Sequence, residues 1–135
     1  MDEQLAQGQR DAAERFAALV DGWSGAPLDF SPASLATLDA LLQQWRDLAE
    51  VYAGAGGPAL ASLAGPAAAY VGEVLIRAFG GGWVDLDAPD ALLDGRVRAA
   101  VLPAVQAVLS GSGRLADYYQ AVAAQVAGAG KDAAS

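Results

Sequence analysis

Residues 70–83 read Tyr70-Val71-Gly72-Glu73-Val74-Leu75-Ile76-Arg77-Ala78-Phe79-Gly80-Gly81-Gly82-Trp83, and this stretch decides the fold. It has the pattern of the second half of a buried helix, a glycine stop and a tryptophan that opens a strand. From Ala67 onward the helix is apolar nearly all round, which requires burial on most of its sides. Gly80 suits the left-handed residue that ends a helix, and Gly81 and Gly82 turn the chain away from it. Glu73 and Arg77 are the only charges in the segment.

Upstream, two amphipathic helices are expected. In residues 4–21, Leu5, Ala12, Phe16, Leu19, Val20 and Trp23 recur at helical spacing, with Asp11, Glu14 and Arg15 off that stripe. Gly8 weakens the first turns, and Gly22 with the segment 24–27 ends the helix. Leu28-Asp29-Phe30 is a short extended piece that could add an edge to a sheet. Ser31 then supplies an N-cap with Pro32 in the first helical position, where a missing N–H costs nothing. Leu35, Leu38, Leu42, Trp45, Leu48 and Tyr52 form the inward face of this second helix, opposite Gln43, Gln44, Asp47 and Glu50. The glycine-rich segment 53–58 is a break between helices. No lysine or Ser/Thr pair follows it at the spacing of a phosphate-binding loop. A third helix over residues 60–79 is expected to kink or restart at Gly65-Pro66.

Downstream of the opening stretch, Trp83-Val84-Asp85-Leu86 alternates as a strand covered on one face does. Residues 87–90 have turn chemistry, Ala91-Leu92-Leu93 is a second strand, and Asp94-Gly95 is a tight-turn signal leading into Arg96-Val97-Arg98. Val101, Val105, Val108 and Leu109 then mark a short helix that begins around Pro103 and stops at Gly111. Ser110 or Ser112 can cap a last helix whose inward residues are Leu115, Tyr118, Tyr119, Val122 and Val126. The pattern ends near Ala127. The expected fold is therefore α+β and mainly α: about five helices packed with a small antiparallel sheet of two to three short strands. The 135 residues suit one domain, with residues 1–3 and about 128–135 as mobile termini.

Composition narrows the chemistry. The formal charge is −8, and residues 1–50 carry nine acids against three arginines, a net −6. Such a molecule repels nucleic acid and anionic lipid and attracts basic partners. Cysteine and histidine are both absent, which removes disulfides, thiol nucleophiles, Ser-His-Asp triads and ordinary zinc sites. The N-terminal residues lack the basic-then-apolar plan of a signal peptide, and the longest uncharged run is broken by glycine and proline. The protein is expected to be soluble and cytoplasmic. Its abundant alanine, and arginine in preference to lysine, suggest a GC-rich bacterial genome.

Four residues make the candidate site. Glu73 and Arg77 lie one helical turn apart in the order that favours an ion pair, with Tyr70 on the same side and Trp83 just beyond the glycine stop. A buried charge here must be paired or hydrogen-bonded. One reading is architectural: an ion pair, or Glu73 tying down the glycine turn. The other is a small polar site in which Tyr70, Glu73, Arg77 and Trp83 hold a ligand. Asp85, Asp87, Asp90 and Asp94 look metal-like, but they lack the glycine and closing glutamate of an EF-hand loop, so neither a metal nor a cofactor is expected.

The blocks Asp29-Phe30-Ser31-Pro32-x-Ser34-Leu35-x-x-Leu38-Asp39 and Tyr70-x-Gly72-Glu73-Val74-x-x-Arg77-x-x-Gly80-Gly81-x-Trp83 resemble those of small uncharacterised bacterial domains, over about residues 28–125. The resemblance implies a fold and not an activity. The site residues it covers are Tyr70, Gly72, Glu73, Arg77, Gly81 and Trp83. Size, acidity and missing catalytic residue types together favour a non-catalytic interaction module, an adaptor or inhibitor of a basic protein partner. The alternatives are a small-molecule binder using Tyr70, Glu73 and Arg77, and, behind it, a carboxylate-based enzyme. A further alternative is a structural subunit whose exposed helix faces pair in a homodimer.

Overall fold

The computed structural model describes residues 3–24, 28–52, 61–84, 90–95 and 97–134. Among them are five helices and one three-stranded sheet: α1 (Glu3–Ser24), α2 (Ser34–Tyr52), α3 (Ala61–Phe79), β1 (Gly81–Val84), β2 (Asp90–Leu93), β3 (Val97–Ala99), α4 (Val101–Ser110) and α5 (Leu115–Ala134). The mainly helical architecture with a small antiparallel sheet is the one the hydrophobic periodicities specify.

Helix α3 is the hub. Every residue from Ala67 to Leu75 is buried, including Gly72 and Glu73. Helices α1 and α4 pack along it, and β2 lies against it. Alanine at positions 67, 68 and 69 lets these neighbours approach closely, while Tyr70, Val71, Val74 and Leu75 supply the bulk. The helix is a single element through Gly65 and Pro66 and does not restart there. Pro66 stands in its second turn, where its missing donor disturbs only the N-terminal end, and the buried run that anchors the helix follows it.

The sheet follows from the turn chemistry. Its order is β1-β2-β3, antiparallel throughout, with Trp83 opposite Ala91 and Leu92 opposite Arg98. Asp94 and Gly95 both adopt left-handed backbone, with φ of 54° and 67°, and Leu93 pairs with Val97 across that connection. The third strand is displaced by one residue from the expected 96–98. Residues Leu28, Asp29 and Phe30 do not join the sheet. Phe30 takes a φ of 63°, a conformation costly for a residue with a Cβ, and the chain turns there into the opening of α2.

That opening is a 3₁₀-type turn. Ser34 and Leu35 donate to the carbonyls of Ser31 and Pro32, and the Ser31 hydroxyl accepts from the Ser34 N–H at 3.3 Å. Asp29 in turn accepts from the Ser31 N–H and hydroxyl, and these bonds hold its carboxyl below the usual range. Ser31 thus caps α2 as its sequence indicates.

The capping of α5 differs from expectation. Ser110 and Ser112 finish α4 instead: both hydroxyls donate to the Ala107 carbonyl, at 3.0 and 3.2 Å. The N–H groups of Gly111 and Ser112 close the same helix end, onto Val108 and Ala107. Helix α5 takes its cap from α2. Asp39, 6% exposed, accepts the Leu115 N–H at 2.6 Å and the Ala116 N–H at 3.0 Å through its two carboxylate oxygens. Those are two of the donors that a helix start leaves unsatisfied, and the negative charge also complements the helix dipole. Helix α5 then runs to Ala134, past the end of its apolar pattern; alanine, the strongest helix former, is frequent in that extension.

The tyrosines of α5 are both half-buried. Tyr119 stacks on Phe79 with ring centroids 5.5 Å apart. The Tyr118 hydroxyl is buried without a hydrogen-bond partner, and burial, assisted by the charge of Asp90, pushes its pKa up to about 12. Asp90 itself is engaged by Arg98 at 2.6 Å. The expected glycine break at 53–58, the strand end and turn at 85–89, Arg96, and the side chains of Trp23, Leu48 and Tyr52 lie outside the described residues.

Replacing Asp39 with alanine leaves one buried and one part-buried N–H group without their acceptor and is expected to cost about 1–3 kcal/mol in urea unfolding. Hydrogen exchange should accelerate at Leu115 and Ala116 before the core of α3 is affected. Tyr118→Phe removes an unpaired buried hydroxyl and should be neutral or stabilising by up to about 1 kcal/mol. In the wild type, stability should fall as pH rises from 10 to about 12, because the unfolded phenol ionises while the folded one keeps its proton. Denaturant titrations across that window should show a shallower fall in Tyr118→Phe.

Candidate functional site

The four residues singled out from the sequence separate into two local assemblies on α3. In the first, Tyr70 is fully buried and fastens the segment before α2. Ser34 donates its hydroxyl proton to the Ser31 carbonyl at 2.6 Å. The Tyr70 hydroxyl therefore donates to Ser34 Oγ, at 2.6 Å, while accepting the Phe30 N–H at 2.9 Å. Burial raises the Tyr70 pKa against the opposing pull of those two hydrogen bonds. The Phe30 ring lies 4.7 Å from that of Tyr70, and the Arg77 guanidinium sits over the Phe30 ring at 3.9 Å. Phe30 is thus held through its backbone, its ring and a cation–π contact, which together offset its left-handed conformation.

The second assembly joins α3 to β1 and α1. The Trp83 indole lies across the α3 backbone at Gly72, so close that a Cβ at position 72 would overlap its Cη2 and Cζ2 atoms. Its Nε1–H donates to Glu73 Oε2 at 3.0 Å. The other carboxylate oxygen of Glu73 faces Arg10 Nε of α1 at 3.7 Å, and Arg10 also donates to Gln7, which donates to Asp11. Glu73 is 5% exposed and Trp83 3%, so the carboxylate is satisfied by a neutral donor and a half-exposed cation. At Gly81, φ is +137° and a Cβ would meet the Leu92 carbonyl, so β1 can start there only with glycine.

The sequence spacing suggested that Glu73 and Arg77 pair with each other. Here they do not: Glu73 is engaged by Trp83 and Arg10, and Arg77 by Phe30. The competing partners are better placed, since an indole N–H already directed at the buried carboxylate removes the need for a second charge on the same helix. Tyr70 and Arg77 are brought together through Phe30, and Glu73 and Trp83 directly.

A cleft of about 450 Å³ lies elsewhere, between α2 and the first turn of α5. Ala36, Ala40 and Ala116 line it together with Gln43, Arg114, Asp117 and the capping Asp39. None of Tyr70, Glu73, Arg77 and Trp83 contributes to it. No group of three or more acidic side chains among the described residues is arranged to hold a metal ion.

Sequence reasoning missed Arg10, Phe30 and Asp39 as partners in these assemblies. Asp39 had a signal. It falls between Leu38 and Leu42 on the inward stripe of α2, and a carboxylate in that position must find buried donors. Arg10 and Phe30 had none, because their partners are distant in sequence.

Comparison with known protein families, with curated proteins and with solved structures returned no match. No helix among the described residues is long and apolar enough to cross a membrane.

Gly72→Ala should lose about 1–3 kcal/mol, or more, because the indole has to leave its seat; a shift of tryptophan fluorescence toward that of exposed indole would accompany it. Gly8→Ala, in a helix with open space around the new methyl, should gain about 0.5–1 kcal/mol. At position 73 the side-chain amide oxygen of Glu73→Gln can still accept from Trp83, so the loss should be small. Glu73→Leu orphans the indole N–H and should cost about 1–3 kcal/mol. Equal losses for the two variants would show that the Arg10 contact, and not the indole bond, is what Glu73 supplies.

Proposed function

We propose that the protein is a non-catalytic interaction module that binds a basic partner protein, as an adaptor or an inhibitor. The observation that carries this reading is how the polar interior is spent. Tyr70, Glu73, Trp83 and Asp39 are buried, and each has its hydrogen-bonding capacity directed at another part of the same chain. A general base or a ligand-orienting group needs a free lone pair or proton facing a cavity, and none of the first three lines the cleft between α2 and α5. These groups act as fasteners.

What remains for a partner is the outer surface and its charge. With a net charge of −8 and no histidine, the molecule keeps its negative field across the physiological pH range. Such a field attracts cationic surfaces from solution and speeds their encounter, with a strength that falls as salt screens it. The ligand-binding alternative built on Tyr70, Glu73 and Arg77 would require these side chains to leave partners they already have.

Biolayer interferometry against a panel of basic and acidic polypeptides of matched length tests the proposal. Saturable binding of a basic member is expected, with an association rate that falls severalfold or more between low and high salt. Charge reversal at exposed Glu14 and Asp21 should slow association while leaving the melting temperature nearly unchanged. Absence of saturable binding to every basic member at low salt would overturn the reading.

A further inference from the structure

We draw no further inference here: the strongest candidate, the cleft between α2 and the first turn of α5, joins a helix N-terminus that Asp39 already caps to three alanines and exposed charges, and nothing in the structure shows what fills it.

Discussion

Trp83 and α3 determine each other's surroundings. The indole can lie against the helix only because position 72 has no side chain, and once there its N–H must find an acceptor in a nearly dry environment. Glu73, the next residue, provides it at 3.0 Å. One hydrogen bond thus satisfies the buried indole N–H and offsets part of the cost of burying the carboxylate. The remaining charge on Glu73 reaches outward to Arg10, which draws α1 onto the same helix. An exposed contact of that kind is weak by itself, so α1 depends mainly on Ala13, Phe16 and Val20 for its attachment.

The same economy recurs at two other joints. The Tyr70 hydroxyl ties the segment before α2 to α3, and Asp39 ties α5 to α2. In each case a buried polar side chain on one helix satisfies backbone groups that a neighbouring element leaves open where it turns or begins. Apolar packing alone would allow these helices to slide or rotate, since leucine, valine and alanine surfaces are tolerant of small displacements. Directional bonds at three separated points remove that freedom. Among the described residues, fold and buried polar groups are therefore largely one design, with the Tyr118 hydroxyl as the exception.

Much of this was legible in the chain. The glycine stop at Gly80, the left-handed turn at Asp94 and Gly95 and the Ser31 cap follow from local backbone chemistry, and the helical stripes follow from periodicity. Local rules fail where a residue's partner is remote. Ser110 and Ser112 stand close enough to α5 to look like its cap, yet they serve the carbonyl end of α4, because Asp39 already occupies the N–H groups of Leu115 and Ala116. Glu73 and Arg77 are correctly spaced for an ion pair, but spacing carries no information about Trp83 or Phe30 arriving from another part of the chain. Phe30 departs from the extended backbone its sequence suggests, because its bond to Tyr70, the ring contact and the Arg77 guanidinium together offset its left-handed turn.

The three fasteners also differ in the length of chain they close. Glu73 and Trp83 are 10 residues apart, Ser34 and Tyr70 36, and Asp39 and Leu115 76. For a flexible chain, the entropy cost of closing the longest of these loops exceeds that of the shortest by roughly 2 kcal/mol. Joining α3 to β1 is thus the least demanding event, and seating the start of α5 on Asp39 the most demanding. By loop entropy alone, the bond that caps α5 is the costliest of the three to close, so it leans most on the packing of α2 and α5 around it.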